Sequence, residues 1–326
     1  MSDRHLPEEL GVVRARPDEG GGAATPSRSL PADAGSGLPG GPRPMVVGPR
    51  TLDWGHRTWI MGIVNVTPDS FAGDGLLAAA DPAQAALDQA RRMVADGADL
   101  LDVGGASSRP GHVAVPPAEE IERVVPVIRV IATELPGTAI SIDTTSPAVA
   151  AAAIEAGAHL VNDVWGVAED PGMVRLAAER GVPLVLMHNR AEARYRNLIA
   201  EVIADLQRAL ERAMDAGVPW DHLVVDPGFG FGKTPDHNVA LLAGLGALRA
   251  LGRPILLGTS RKSTLGKLLD LPSDQRVEAT AATTALGIAA GADIVRVHDV
   301  RENVRTARVA DAILRGWRPD GWPGGA

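Results

Sequence analysis

Residues 95–103 read ADGADLLDV, and this stretch passes from an Ala-rich helical pattern through Gly97 into a short apolar run. The same joint recurs as EAGAH (155–159), ERGVP (179–183), DAGVP (215–219) and AAGAD (289–293). A glycine at this place can adopt the left-handed conformation that ends a helix. The recurrence therefore predicts a chain in which helices and buried strands alternate, with Gly97, Gly157, Gly181, Gly217 and Gly291 at the joints.

Eight apolar runs suit buried parallel strands. They are WIMGIVNV (59–66), DLLDV (99–103), AISID (139–143), HLVNDV (159–164), PLVLMH (183–188), HLVVD (222–226), PILLGTS (254–260) and DIVRV (293–297). Three helices are predicted to begin at a capping residue followed by proline, namely Asp81-Pro82, Ser146-Pro147 and Asp170-Pro171. Eight strands that alternate with helices favour an α/β fold of the (β/α)₈ TIM-barrel type. A doubly wound open sheet remains an alternative, because the runs do not reveal the strand order.

The two ends of the chain differ from its middle. Residues 1–44 contain 8 Gly and 7 Pro and no aromatic residue. Such a segment cannot bury enough apolar area to offset the entropy lost on ordering. We therefore predict a disordered tail over 1–44, a barrel over 45–317 and a flexible C-terminal tail over 318–326. Val46, Val47, Leu52 and Trp54 predict a small hairpin within 45–58, before the first barrel strand.

Composition excludes several classes of function. The chain has no cysteine, which excludes disulfides, zinc ribbons, iron–sulfur clusters and a thiol nucleophile. A net charge of −8 argues against a broad nucleic-acid surface. No apolar run reaches the roughly 18 residues of a membrane span, and the first residues lack the order of a signal peptide. We expect a soluble, cytoplasmic protein without nucleic-acid or membrane partners.

A polar group stands at the end of every predicted strand. These groups are Asn65, Asp102, Asp143, Asn162, His188, Asp226, Ser260-Arg261-Lys262 and Arg296-Val297-His298. Barrel active sites lie at the C-terminal strand ends, so this set predicts one active site. Because Gly104-Gly105 follows Asp102, stabilisation of a turn explains Asp102 equally well, and we expect His188 to be structural. The histidine spacing fits no metal motif, so any metal is a hard cation, with Asn65 as one oxygen ligand.

Motifs at these strand ends resemble those of the dihydropteroate synthase family. They are MGIVNVTPDSF (61–71), DVGGASSRPG (102–111), SIDTT (141–145), VNDV (161–164), DPGFGFGKT (226–234), GTSRKS (258–263) and RVHDV (296–300). The resemblance extends over residues 45–316. It implies a (β/α)₈ barrel, usually dimeric, that transfers the dihydropterin-methyl group in folate biosynthesis. Its substrates would be 4-aminobenzoate and 6-hydroxymethyl-7,8-dihydropterin diphosphate, and its products 7,8-dihydropteroate and diphosphate.

The resemblance also implies the roles of individual residues. Asn65 matches the Mg²⁺ ligand, and Ser108 would contact the dihydropterin diphosphate. The pterin pocket would consist of Asp143, Asn162, Asp226 and Lys262. Diphosphate would be held at Arg296-Val297-His298, and 4-aminobenzoate would lie by Phe231 and Ser260. Lys262, Asp226 and Arg296 are the residues expected to be catalytic.

These residue types suit the implied substrates. The amino-pyrimidinone edge of a pterin offers N–H donors, for which buried carboxylates are the matching acceptors. Departing diphosphate develops negative charge, which Mg²⁺, arginine and histidine can stabilise. A neutral aryl amine needs no strong base, and the resemblance implies an SN1-like path. Two stretches depart from the family pattern: GGASSRP stands where GGESTRP is usual, so that Ala106 replaces a glutamate, and MHNR (187–190) differs from the common MHM-x-G.

Three alternative functions fit parts of this pattern. A folate-to-corrinoid methyltransferase could share the pterin carboxylates and Asn162, but it does not need the groups at 260–262 or 296–298. A non-catalytic pterin-binding paralogue should have lost Asn65, Lys262 or Arg296, and all three are present. A phosphate-binding aldolase or isomerase would place a Schiff-base lysine or a general-base glutamate at a strand end. Lys262 instead lies inside SRKS, and no glutamate ends a predicted strand.

Overall fold

An antiparallel hairpin precedes eight parallel strands in the computed structural model, which describes residues 41–67, 81–106, 115–166 and 171–323. The hairpin strands are β1 (Met45–Val47) and β2 (Arg50–Leu52). The parallel strands are β3 (Trp59–Asn65), β4 (Leu100–Gly104), β5 (Ala139–Asp143), β6 (Leu160–Asp163), β7 (Leu184–Met187), β8 (Leu223–Asp226), β9 (Leu256–Leu257) and β10 (Ile294–Val297). The hairpin and the eight strands confirm the sequence prediction.

Helices connect the parallel strands and cover their outer side. They are α1 (Pro82–Ala95), α2 (Pro117–Glu134), α3 (Pro147–Ala156), α4 (Gly172–Arg180), α5 (Leu198–Asp215), α6 (Pro235–Ala243), α7 (Ser263–Leu269), α8 (Val277–Ala289) and α9 (Val300–Leu314). Short 3₁₀ turns occur at Trp220–His222, Leu245–Leu251 and Ser273–Gln275. In the described part of the chain, no helix is long and apolar enough to cross a membrane.

The parallel strands form a closed barrel rather than an open sheet. From β3 to β8 each strand pairs with the next along the chain, and β10 lies between β3 and β9. A parallel bridge between Val225 and Ile255 joins the two ends of the sheet. A doubly wound sheet would leave two free edges, so this bridge confirms the TIM barrel.

The sequence signals for helix ends are confirmed, except that one helix begins one residue later than predicted. The five joint glycines all have positive φ, between 64° and 118°. Asp81 and Ser146 accept hydrogen bonds from the backbone N–H groups of Gln84 and Val149, as predicted for helix caps. The third start was wrong by one residue: α4 begins at Gly172, so Pro171 is its N-cap instead of its first helical residue, and Asp170 lies outside the described residues.

Strand β9 is much shorter than the predicted run 254–260. The Ile255 N–H donates to the Asp293 carboxylate at 3.0 Å instead of to a strand. At the other end, the Lys262 N–H donates to the Thr259 carbonyl at 3.2 Å and turns the chain. The regular ladder is therefore confined to Leu256 and Leu257. This early end brings Ser260 and Lys262 into a loop beside the barrel opening.

Apolar side chains fill the lower half of the barrel. One buried residue from each strand joins a single cluster: Met61, Leu100, Ala139, Leu160, Val185, Val224, Leu256 and Ile294. Met45, Val47 and Leu52 of the hairpin, with Trp54 and Trp59, belong to the same cluster. Because the clustered strand residues lie at or near the strand starts, the hairpin closes the N-terminal end of the barrel. Among the described residues, the barrel interior is thus filled and covered at its N-terminal end, which leaves the C-terminal strand ends as the place to look for an active site.

Parts of the predicted tails fall within the described chain. The carbonyl of Arg43 accepts a hydrogen bond from Trp54 Nε1 at 2.9 Å, and its guanidinium lies 2.7 Å from Asp221. Arg43, which lies inside the predicted N-terminal tail, is thus attached to the barrel. The rest of the tails predicted over 1–44 and 318–326, namely residues 1–40 and 324–326, lies outside the described residues.

Candidate active site

Strand periodicity places the polar side chains directly above the apolar filling. Alternate residues of a strand point to the same face, so the residue two positions after an interior apolar residue also points into the barrel. These second residues are Asp102 on β4, Asn162 on β6, Asp226 on β8 and Arg296 on β10. Asn65 and Asp143 follow four positions after Met61 and Ala139. The structure therefore brings most of the predicted site residues to one rim.

Arg296 connects the carboxylates at the centre of this rim. Its Nε lies 2.5 Å from Asp102 Oδ2 and its Nη2 lies 2.7 Å from Asp143 Oδ2. Asn162 Nδ2 donates to the same oxygen of Asp102 at 2.9 Å. Asp102 is 0 % exposed, and its Oδ1 has no hydrogen-bond partner among the described residues. Asp102 thus belongs to the site, which decides against the turn-stabilising explanation.

Two carboxylates on this rim bind protons more tightly than usual. Burial raises the pKa of Asp143 to about 7, against the opposing effect of Arg296. Burial raises the pKa of Asp226 to about 6, although the Gly228 N–H and Lys262 act in the opposite direction. Burial disfavours the ionised forms of these two carboxylates, which need hydrogen-bond donors as partners. Both groups are therefore suited to a ligand that supplies N–H donors.

The loop after β8 provides one wall of the site. Asp226 Oδ1 accepts the Gly228 N–H at 2.6 Å. Lys262 Nζ lies 4.0 Å from the centre of the Phe231 ring, a cation–π contact. Phe231 also packs with Val164 and Met187 in a small buried cluster separate from the barrel core. The site therefore combines a charged rim with an apolar wall, and sequence reasoning missed Val164 and Met187.

Ser260 and His298, which follow the neighbouring strands β9 and β10, are held together on the rim beside the β8 loop. Ser260 Oγ accepts the backbone N–H of His298 at 3.1 Å and lies 3.0 Å from His298 Nδ1. The serine proton can then be donated to Nδ1, which leaves Nε2–H of a neutral ring as the donor for an anion. The resemblance places Ser260 beside 4-aminobenzoate. In the structure, Ser260 also orients the His298 ring.

The segment that presents Lys262 is braced by arginines. Arg261, at φ 55°, pairs with Asp299 through Nε at 2.9 Å. Arg276 Nη1 donates to the Arg261 carbonyl at 2.9 Å. These contacts fix the backbone just before Lys262, and Arg276 Nη1 also lies 3.4 Å from the Lys262 carbonyl oxygen. Lys262 lies at the N-cap of α7, as expected from its place after the seventh barrel strand.

Val297 does not point into this site. Its side chain is 1 % exposed and packs in the core between the strands and the outer helices. The reason is again strand periodicity, because Arg296 points inward and its neighbour must point outward. A substrate contact of Val297, as the sequence implied, is therefore limited to its backbone. Ser108, which was also predicted to contact substrate, lies outside the described residues.

His188 is a buried connector at the end of β7. The ring is 0 % exposed and both of its nitrogens have partners: Nε2 lies 3.1 Å from Asp205 Oδ2 and Nδ1 lies 2.9 Å from Lys233 Nζ. Burial and the Lys233 charge lower the pKa of His188 to about 4. This geometry agrees with the structural role that we expected.

A metal at this rim would need most of its ligands from a substrate. Among residues 41–67, 81–106, 115–166 and 171–323, no group of three or more His, Asp or Glu residues could hold a metal ion. Asn65, the last residue of β3, offers a single neutral oxygen. A hard cation that keeps several waters and binds phosphate oxygens fits such a sparse protein contribution. The donors present are compatible with Mg²⁺ bound jointly to a diphosphate.

Known proteins share both the sequence and the fold of this chain. Residues 61–298 match the model of the pterin binding enzyme family. The dihydropteroate synthase of Clostridium beijerinckii is 47% identical over 272 residues, which are 83% of this chain and 100% of the relative. This relative and the two solved structures described next are all named dihydropteroate synthase.

Two solved structures show the same agreement in three dimensions. The dihydropteroate synthase of Clostridium difficile, determined in the presence of pteroic acid, superposes with a TM-score of 0.77 at 46% identity and covers 81% of this chain and 99% of that one. The enzyme of Xanthomonas albilineans with 4-aminobenzoic acid gives a TM-score of 0.75 at 43% identity, over 81% and 94% of the two chains. The match to the family model, the identity to the relative and the shared barrel fold together show that the chain belongs to the dihydropteroate synthase family of pterin-binding enzymes.

Proposed function

We propose that this chain joins 4-aminobenzoate to 6-hydroxymethyl-7,8-dihydropterin diphosphate and releases 7,8-dihydropteroate and diphosphate. The observation that supports this proposal most strongly is the pair of carboxylates, half-buried Asp143 and buried Asp226, on a rim that also presents Lys262 and Arg296. Acceptors for a heterocycle and cations for a diphosphate lie on one barrel opening. Family membership supplies the identity of the two substrates.

The pterin is bound, in this proposal, by donor–acceptor matching. Its amino and ring N–H groups face the carboxylates of Asp226 and Asp143, and Lys262 and Asn162 donate to its ring nitrogen or oxygen atoms. The apolar wall of Val164, Met187 and Phe231 excludes water from the ring faces. Hydrogen bonds to ionised groups in a water-excluded site are the stronger ones.

Bond cleavage depends on stabilising the leaving diphosphate. The carbon–oxygen bond of the pterin methylene breaks, and the diphosphate departs with the electron pair. The aryl amine of 4-aminobenzoate then attacks the methylene and loses a proton. Arg296 and the Nε2–H of His298 stabilise the growing negative charge. When bound at Asn65, Mg²⁺ would add positive charge beside the phosphate oxygens.

Genetic complementation tests this function in a cell. A bacterium that lacks its own dihydropteroate synthase should grow without the end products of folate metabolism when it expresses this chain. The Lys262→Met variant, which keeps the side-chain length but removes the charge, should not restore growth. A corrinoid methyltransferase or a non-catalytic pterin-binding protein would fail to restore growth in either form. Failure of the wild-type chain, expressed and folded, would overturn the proposal.

Pterin affinity should depend on pH through Asp226. Because the carboxylate form accepts the pterin N–H groups, and its pKa is raised to about 6, a tenth or less of Asp226 is ionised at pH 5. The dissociation constant of a pterin ligand should therefore be about tenfold higher at pH 5 than at pH 8. Titration that follows the intrinsic fluorescence of the pterin measures the dissociation constant at each pH. Asp143, with a pKa raised to about 7, would steepen the same trend.

The deprotonation of Asp226 also changes the stability of the folded protein. Since the pKa of Asp226 in the folded state exceeds that in the unfolded state, its contribution to the free energy of unfolding falls as the pH rises from about 4 to about 6. A bound pterin offsets this loss by donating to the ionised carboxylate. An affinity that is constant from pH 5 to pH 8 would contradict the assignment of the two carboxylates as pterin acceptors.

Three further features complete the proposal. We propose Mg²⁺ as the metal, held in part by Asn65, because the rim offers one protein oxygen and the substrate offers the others. We propose a homodimer, for which the exposed apolar side chains of Leu286, Val309 and Ile313 on the packed helices α8 and α9 offer a surface. The cytoplasmic location expected from the sequence remains a prediction.

A further inference from the structure

Lysine is rare in this chain, and one of its lysines is half-buried next to the site. The sequence contains only Lys233, Lys262 and Lys267 among its 32 basic residues. Lys233 Nζ lies 2.9 Å from His188 Nδ1, 3.0 Å from the Phe231 carbonyl oxygen and 3.1 Å from the Gly228 carbonyl oxygen. Lys233 takes no part in the reaction proposed above. Its three contacts therefore need a separate explanation.

The hydrogen-bond directions identify Lys233 as the donor in all three contacts. The Asp205 carboxylate can only accept, so His188 Nε2, 3.1 Å away, carries the ring proton. His188 Nδ1 is then an acceptor, like the two carbonyl oxygens. Three acceptors match the three N–H groups of an ammonium. A planar arginine could not place one nitrogen within reach of all three, which explains a lysine in an arginine-rich chain.

The segment that Lys233 contacts has little regular structure of its own. Gly228, Gly230 and Gly232 have φ values of 70°, 86° and 53°, a left-handed region that glycine enters without steric cost. A Cβ on Gly228 would lie 1.8 Å from the His188 carbonyl oxygen, so the loop is also pressed against β7. Such a loop needs side-chain contacts to keep one conformation.

Two groups of the active site are attached to this loop. Asp226 at its start accepts the Gly228 N–H at 2.6 Å, and the Phe231 ring lies against Lys262 Nζ. Lys233 holds the carbonyls of the same two residues, Gly228 and Phe231. A movement of either carbonyl would therefore shift the pterin acceptor or the apolar wall.

We propose that Lys233 is a positioning residue that fixes the Asp226–Phe231 loop for substrate binding, anchored through His188 to Asp205 on α5. Small displacements of binding groups cost large factors in affinity and rate, because oriented contacts are lost together. Lys233 itself touches neither substrate. The inference rests on the proposed function, because it concerns the affinity of that site for a pterin and for 4-aminobenzoate.

The test compares substitutions of two lysines. Lys233→Met keeps the aliphatic chain but removes all three N–H donors, and Lys267→Met makes the same change at an exposed position on α7. For Lys233→Met we expect the dissociation constant of the pterin to rise at least tenfold and the KM for 4-aminobenzoate to rise as well. Lys267→Met should remain within twofold of the wild type in both. Lys233→Arg, which keeps the charge, should also lose affinity.

The readouts separate positioning from general stability. A residue that merely stabilised the fold would lower the Tm and the fraction of active sites, and so the apparent kcat, while the remaining sites kept the wild-type dissociation constant. Wild-type pterin affinity in folded Lys233→Met, or in Lys233→Arg where the methionine variant does not fold, would overturn the proposal. Absence of pterin binding and product formation in the wild type would instead refute the proposed function.

Discussion

Asp226→Asn is expected to lower kcat/KM for the pterin diphosphate by roughly 100-fold or more. The substitution removes the negative charge and turns one acceptor oxygen into an N–H donor that faces the donors of the pterin. A hydrogen bond to a charged group contributes about 1.5–3 kcal/mol, and two are affected, so the loss is at least about 3 kcal/mol. Tenfold in an equilibrium constant corresponds to about 1.4 kcal/mol. Steady-state kinetics with the pterin diphosphate as the varied substrate measure the change.

The stability of the same variant should not fall. The raised pKa of Asp226 shows that burial makes its ionised form costly in the folded protein, so a neutral amide is tolerated there. Asp221→Asn is the matched control, because Asp221 precedes the same strand at the opposite end of the barrel and pairs with Arg43. It should leave kcat/KM within a factor of two. An active Asp226→Asn enzyme would rule out the carboxylate as the pterin acceptor.

Arg296→Ala should weaken binding of the pterin diphosphate about 10- to 100-fold more than binding of the pterin alcohol. The Nε and Nη2 atoms of Arg296 contact Asp102 and Asp143, and Nη1 is the nitrogen that these contacts do not use. Loss of a charge-assisted contact with phosphate costs about 1.5–3 kcal/mol, which only the diphosphate form experiences. Titration of both ligands at one pH gives the ratio.

Arg296→Ala should also lower the Tm by several degrees. Removal of one partner of a buried ion pair leaves an uncompensated charge and costs about 3–5 kcal/mol, although protonation of Asp143 reduces that cost. Arg57→Ala is the control: Arg57 forms two hydrogen bonds of 2.8 Å with Asp99 at the N-terminal end of the barrel. It should lower the Tm without changing the preference for the diphosphate. Equal losses for both ligands in Arg296→Ala would make Arg296 a structural residue only.

The barrel and its rim were accessible from the sequence because their signals are local. A helix end, a glycine and an apolar run recur along the chain, and the polar residue that ends each run is visible without any long-range information. The resemblance of the strand-end motifs added the substrates. Strand periodicity, applied one step further, would also have shown that Arg296 points inward and Val297 outward.

Other features depend on contacts between distant parts of the chain. Asp102 and Arg296 are 194 residues apart, so no local pattern could show that they share a hydrogen bond, and the sequence alone left the turn and active-site explanations of Asp102 open. The short strand β9 results from the Asp293 carboxylate taking the N–H of Ile255. In the sequence, Lys233 is part of the motif DPGFGFGKT, and its role becomes apparent only from the three acceptors around its Nζ in the structure.

The most direct test of the central claim is the stoichiometry of the reaction with purified protein. The enzyme is supplied with 4-aminobenzoate and 6-hydroxymethyl-7,8-dihydropterin diphosphate in the presence of Mg²⁺, and dihydropteroate and diphosphate are both quantified. We expect equal amounts of the two products, a rate that falls when Mg²⁺ is chelated, and almost no product with Asp226→Asn. The absence of dihydropteroate, or diphosphate formed in excess over dihydropteroate while 4-aminobenzoate is saturating, would contradict the proposed reaction.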